Sequence, residues 1–190
     1  MMSRVFFISD THFSHKNILK YEPIRIEILQ KAYPGLNFNV FTEEELLALH
    51  DQYIIKCWNQ TVKNDDIVWF LGDFAFGNAD VVKKFASQLK GHKRIVLGNH
   101  DRAPVHSYYD AGFEYVSKYP VILQGKFILS HAPILMDHGI MFNLYGHVHS
   151  NPVFPTKTDN SQCVCIERQE FKPITIPEFD NYTPVEVQRH

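Results

Sequence analysis

Five short segments carry side chains able to ligate a metal: Asp10-Thr11-His12, Gly72-Asp73, Gly98-Asn99-His100-Asp101, Ser130-His131 and Gly146-His147-Val148-His149. Each follows a short apolar, strand-like run. In open α/β sheets ligands gather beyond the carboxyl ends of strands, so the five are predicted to converge on one rim. Carboxylate and amide oxygens mixed with imidazoles suit Mn²⁺, Fe or Zn²⁺ rather than thiolate-loving ions. Two such ions ~3.5–4 Å apart can share one carboxylate, clamp a phosphate and deliver an in-line nucleophile. Glycines at 72, 98 and 146 are expected to let the backbone bend where the side chains turn inward. Each segment alone has an ordinary reading, Asp-x-His as a solvated loop and Gly-Asp as a turn. Their conjunction, in order, carries the reading.

The elements needed to position them follow from the apolar pattern. Arg4 to Ser9, Ile67 to Leu71 and Arg94 to Leu97 read as buried strands, too short and too rich in Val, Ile and Phe for helices. Ser14 is expected to cap a short helix through about Tyr21, and Thr42-Glu43-Glu44-Glu45 has capping-box spacing for a helix over residues 43 to 60. Asn78 caps a predicted helix from Ala79 to Leu89, closed by Gly91, and another is expected near Pro104 to Ala111. From Phe113 onward the pattern turns to β. Strands are expected at Phe113 to Val116, Val121 to Leu123, Phe127 to Ser130, Met141 to Tyr145, Val164 to Glu167 and Pro173 to Ile176, with Gln124-Gly125 as a hairpin turn. Ile24 to Ala32 is ambiguous, and residues 23–41 read as an insertion in a single domain spanning 1–177, with 178–190 a loosely attached tail. Alternating β and α followed by β suggests a layered α/β sandwich with helices outside.

At 190 residues and 45% apolar content the chain can bury a core without disulfides. Lys and Arg number 19 against 21 Asp and Glu, so no basic excess marks a dedicated nucleic-acid binder. Three cysteines, Cys57, Cys163 and Cys165, read as reduced thiols. The amino terminus shows no export signal, and no apolar stretch approaches the ~20 residues of a membrane span. The expectation is a soluble, cytoplasmic protein.

The order D-x-H, G-D, G-N-H-D, H, G-H-x-H, from residue 10 to residue 149, resembles the signature of the calcineurin-like metallophosphoesterases. The resemblance implies a four-layer sandwich, two mixed sheets flanked by helices. It implies Asp10, His12, Asp73 and His149 on one metal and Asp73, Asn99, His131 and His147 on the other, with Asp73 bridging. His100 matches the family's catalytic histidine near the leaving-group oxygen, and Asp101 the acid that orients it. The implied cofactors are two divalent ions, Mn²⁺ first, with Fe, Zn²⁺ or Ni²⁺ as alternatives. The implied reaction is attack of a metal-bridging hydroxide on a phosphomonoester or phosphodiester.

Around this set, His15, Lys16 and Arg102 are candidate substrate contacts, and Phe13, Phe74 and Phe76 follow motif residues closely enough to wall the pocket. His50, His92, His106, His138 and His190 read as surface or packing residues. The expected partner is a phosphorylated small molecule or nucleotide. Nuclease, cyclic-nucleotide phosphodiesterase and small-molecule phosphatase stay open. The competing class is a non-catalytic scaffold of the same fold that binds another protein; a complete ligand set with His100 beside it argues for the enzyme.

Overall fold

The computed structural model describes residues 3–135 and 141–177. His138, His190 and the tail from residue 178 lie outside them. Along the chain run β1 (Val5–Ile8), α1 (Ile18–Tyr21), α2 (Ile24–Ala32), α3 (Glu43–Thr61), β2 (Ile67–Phe70), α4 (Ala79–Ala86), β3 (His92–Val96), α5 (Val105–Asp110), β4 (Phe113–Ser117), β5 (Val121–Leu123), β6 (Phe127–Ser130), β7 (Phe142–Tyr145) and β8 (Ser161–Cys163).

The strands form two four-stranded sheets, ordered β1-β2-β3-β4 and β5-β6-β7-β8. The first is parallel throughout, with Val5 opposite Ile67 and Ile67 opposite His92. The second is mixed: β5 runs antiparallel to β6, and β6, β7 and β8 run parallel. Every residue of β1 and β2 is buried, because both faces of the first sheet are covered. Phe6, Ile8, Val68 and Phe70 pack with Leu29 of α2, Trp58 of α3 and Phe85 of α4. Val5, Phe7, Ile67 and Trp69 pack with Leu129 and Leu144 of the second sheet. The result is two four-stranded sheets face to face, flanked by helices. The helical layer of α2–α5 lies against the first sheet; the outer face of the second, which carries exposed Ile122, bears no α-helix among the described residues.

Local signals set several boundaries. Thr42 and Glu45 close a reciprocal capping box at the start of α3. Asn78 accepts from Asp80 N and Val81 N to cap α4. Gln124 and Gly125 both take positive φ, 53° and 64°, as a two-residue hairpin turn with right-handed strand twist requires. Three expectations need correction. Ser14 does not cap a helix: it sits at φ 64° with its N–H donating to Asp51, and the helix begins only at Ile18. Val164 to Glu167 is not a strand; Cys165 makes one bridge to Ser9 and the chain then turns into the short 3-10 helix Ile166–Gln169. Pro173 to Ile176 contributes one antiparallel bridge, Ile174 to Phe7. The ambiguous Ile24–Ala32 is helical. No helix among the described residues is long and apolar enough to cross a membrane.

Candidate metal centre

All five ligand-bearing segments leave strands at the same rim. Asp10 follows β1, Asp73 follows β2, Asn99 follows β3, His131 follows β6 and His147 follows β7. Backbone hydrogen bonds lace them together: Asp10 N–H to Gly72 O (2.9 Å), His12 N–H to Asp73 O (3.0 Å) and Gly146 N–H to His131 O (2.8 Å). Asp10, His12, Asp73, His147 and His149 all have φ between 48° and 71°. Non-glycine residues in the left-handed region are strained by ~1–3 kcal/mol each and persist only where the surroundings dictate them. So the ligands themselves make the bends that the sequence assigned to glycines. Gly72 does bend, at φ 89°, but Gly98 and Gly146 serve by lacking a Cβ, which would collide with the carboxylates of Asp73 and Asp10.

The ligand atoms fall into two groups, Asp10 with His12 and His149, and Asp73 with His131 and His147, each lying within 4.8 Å. In the first, Asp10 Oδ1 is 3.6 Å from His149 Nε2 and 3.9 Å from His12 Nε2. In the second, His131 Nε2 is 3.3 Å from Asp73 Oδ2, 2.9 Å from Asn99 Oδ1 and 3.2 Å from His147 Nδ1. Asp73 Oδ2 is also 3.5 Å from His12 Nε2, so one carboxylate oxygen faces both groups.

These residues fit divalent cations. Asp10 Oδ1 and both ring nitrogens of His12 are buried without a hydrogen-bond partner, a state that buried polar atoms adopt rarely and for a reason. His131 Nδ1 lies 2.9 Å from Leu71 O and His149 Nδ1 2.8 Å from Glu167 Oε1, so each Nδ1 carries the proton and each Nε2 lone pair points inward. The converging atoms are therefore acceptors in need of a positive charge. The titration behaviour agrees. Burial opposes protonation of His131 and His149, yet Asp73, Asp10 and Glu167 outweigh it and raise both to about 9. Asp73, despite burial, is held at about 2 by His131 and His12 and by the His100 N–H. Burial, with Arg25, His149 and His15 adding to it and Asp73 opposing, drives His12 down to about 2, leaving a neutral imidazole ready to ligate. Protons fill this charge deficit when cations do not.

Behind the first group lies a network the sequence reading missed. Arg25 of α2 is wholly buried. Its Nε donates to Glu167 Oε1 (2.8 Å), Nη2 to Asp10 O (2.6 Å) and Nη1 to Thr11 O (3.0 Å), with His50 Nε2 at 3.1 Å from Nη1. His50 Nδ1 in turn lies 3.0 Å from Asp51 Oδ1, and Asp51 Oδ2 accepts the Ser14 N–H. Burial disfavours the Glu167 carboxylate, but Arg25 and His149 overcome it and hold the group at about 2. Glu167 thus orients His149, and Arg25 fixes both Glu167 and the strained backbone at Asp10. The second group has no such backing: Leu71 O orients His131, while Asn99 and His147 are exposed.

His100 stands beside the first group, its ring 5.4 Å from that of His12 and its Nδ1 buried without a partner. The expected orienting bond from Asp101 is not formed. The Asp101 carboxylate instead accepts from the N–H groups of Asp73 (2.7 Å), Gly98 (2.8 Å) and Phe74 (3.0 Å) and from Tyr108 Oη (3.1 Å). It braces the two loops that carry Asp73 and Asn99. Burial raises it to about 6, the charge of Asp73 adding to the effect and the amide donors opposing it. His15, Lys16, Arg102 and His100 line one cleft of about 540 Å³, together with Tyr21 and Phe76. Phe13 and Phe74 do not reach it; both are fully buried in the helix-side core.

With the site assembled, its relatives can be placed. A protein of Methanocaldococcus jannaschii described as uncharacterised is 29% identical over 188 residues, covering 92% of this chain and 88% of that protein. The Gene 66 proteins of two Mycobacterium phages are 28% identical over 194 residues and 30% over 157, covering 85% and 72% of this chain and 86% and 67% of theirs. A crystal structure of an Aquifex aeolicus protein of unknown function shares the fold with a TM-score of 0.62 at 24% identity, covering 94% of this chain and 98% of that one. The sequence profile of the calcineurin-like phosphoesterases matches residues 3–161, a span that holds all seven proposed ligands. By that match, the chain belongs to the calcineurin-like phosphoesterase family.

Proposed function

We propose that this protein hydrolyses phosphoesters, monoesters or diesters, at a dinuclear centre held by Asp10, His12, Asp73, Asn99, His131, His147 and His149. The observation that carries the reading is Asp73 Oδ2, 3.5 Å from His12 Nε2 and 3.3 Å from His131 Nε2, one oxygen facing two sets of inward-pointing lone pairs. Two divalent cations held there, Mn²⁺, Fe or Zn²⁺ for this mixed O/N donor set, would supply Lewis acidity toward the phosphoryl oxygens and lower the pKa of attacking water. The chain's own groups do the rest. His100, next to His12 and facing the cleft, gives its proton to the departing ester oxygen. Lys16 and Arg102 offer positive charge to a substrate entering that cleft, and Asp101 keeps the Asp73 and Asn99 loops in register. A purely scaffolding role gives no reason for buried acceptor atoms without partners or for five candidate ligands in strained backbone.

The test is exhaustive chelation followed by reconstitution. Turnover of 4-nitrophenyl phosphate esters should vanish with the metals, confirmed by elemental analysis, and return with Mn²⁺. Undiminished turnover in protein shown to be metal-free would sink the reading.

A further inference from the structure

We propose that the substrate is a phosphodiester whose two arms occupy two separate clefts on either side of the metal centre, the departing arm on the His100 side. This rests on the hydrolase reading above and goes further by choosing between ester classes.

The first cleft, about 540 Å³, adjoins the Asp10 group through His100 and His15, whose rings lie 5.4 and 5.5 Å from that of His12. A second cleft of about 430 Å³ adjoins the Asp73 group and is lined by its exposed ligands Asn99 and His147, with His131. Its walls are mostly apolar, Leu97, Pro120 and Ile134 among them, with Lys118 at its edge. The two clefts share no lining residue, and the consecutive residues Asn99 and His100 line different ones. A phosphate held between them presents one ester oxygen to each. A monoester fills one cleft and leaves the other, with its apolar wall, against water; a diester fills both.

The first cleft also says what its arm is. Phe76 and Tyr21 are 40% and 67% exposed, and both line this cleft. They flank His15 at centroid distances of 4.4 and 5.9 Å, making a ring-lined wall beside Lys16 and Arg102. That surface suits a planar aromatic group. In the reaction the water oxygen bonds to phosphorus, the P–O bond to the arm in the first cleft breaks, and that oxygen takes the His100 proton. The water's proton passes to solvent and a monoester with the other arm remains.

Bis(4-nitrophenyl) phosphate and 4-nitrophenyl phosphate share a leaving group and differ only in the retained arm. With Mn²⁺-loaded wild type, kcat/KM should favour the diester by about tenfold or more, the scale of one filled apolar pocket. Ala132, exposed on the second cleft, lets a bulky side chain block that cleft while every candidate ligand side chain is kept. Ala132→Trp should lower diester turnover by about tenfold more than monoester turnover, with metal content measured alongside. Independently of any variant, the amide resonances of Lys118 and Ala132 in protein carrying diamagnetic Zn²⁺ should shift while the diester is in excess and stay in place with the monoester. A monoester hydrolysed as well as the diester, an equal loss of both in Ala132→Trp, or the same resonance response to both compounds overturns the two-cleft proposal alone. If wild type with Mn²⁺ hydrolyses neither ester, the hydrolase reading fails and this proposal with it.

Discussion

The two ends of the first sheet are built from the same strands and treated in opposite ways. At the amino ends, Asp66 accepts from Arg4 N (3.0 Å), Arg4 Nη2 (3.0 Å) and Lys63 N (2.8 Å), while its own carbonyl accepts from His92 N (2.8 Å). Burial works against the Asp66 carboxylate, but these donors overcome it and hold the group below its ordinary range. At the carboxyl ends, five ligands sit in strained backbone and Asp10 and His12 keep buried atoms unpaired. One end is satisfied and contributes stability. The other is held away from its own minimum, with buried polar atoms left unpaired. Strain at the rim is tolerated because the rest of the sheet over-determines it.

Asp73→Asn should have the largest effect at the rim. The loss should remove both ions and reduce turnover by roughly 10⁴-fold or more, since the ions supply several kcal/mol of transition-state stabilisation. Elemental analysis decides: two retained ions and a near-normal rate would remove the bridging role. His100→Asn comes next. Metal content should not change, whereas kcat should fall by about 10²–10⁴-fold for alkyl esters and by less for aryl esters, whose oxygens depart without a proton. A defect that is uniform across a leaving-group series would make His100 a phosphate-orienting residue instead.

Glu167→Gln tests the backing of the first group. Metal affinity should weaken about 10–100-fold at the Asp10 group, the usual effect of losing a carboxylate that orients a ligating histidine. Metal titration should then show one tight and one weakened site; equal weakening of both would make Glu167 a general structural residue. The smallest effect belongs to the other end. Asp66→Asn should lower stability by about 2 kcal/mol at pH 7, the scale of charged hydrogen bonds, with turnover at 25 °C unchanged. Because the folded pKa of Asp66 lies below its ordinary value of 3.8, the wild-type advantage is fully present above that pH. It fades as pH falls through the lower, folded value. Denaturant melts at pH 7 and below pH 3 should diverge and then converge.

The convergence of the seven candidate ligands on one rim was legible because metal chemistry limits residue types and strand ends limit spacing, so both clues coincide in the sequence. Buried β1 and β2 were legible because a sheet covered on both faces leaves unbroken apolar runs. What stayed hidden depends on distance along the chain. Arg25 sits in a helix whose pattern is ambiguous, and nothing near it marks a guanidinium whose partner is 142 residues away. Glu167 lay inside an apparent strand, Val164 to Glu167, which a bridge at Cys165 and a 3-10 helix replace. Asp101 was adjacent to His100 in sequence, but backbone amides of two loops claimed both its oxygens. Phe13 and Phe74 follow motif residues, but each comes directly after a left-handed bend, at His12 or Asp73, and lies in the core.

The pairing of Arg25 with Glu167 also bears on how the chain is made. A fully buried guanidinium cannot enter an apolar core before its carboxylate is present, because an unpaired charge there is heavily penalised. Translation at about 5–20 residues per second puts on the order of ten seconds between the two residues. Throughout that interval α2 cannot dock, Asp10 and Thr11 lack the donors that fix their carbonyls, and the nascent amino-terminal half remains open on the ribosome. The turn that carries Glu167 therefore locks the first loop of the candidate centre, so the site is completed late in folding rather than at its beginning.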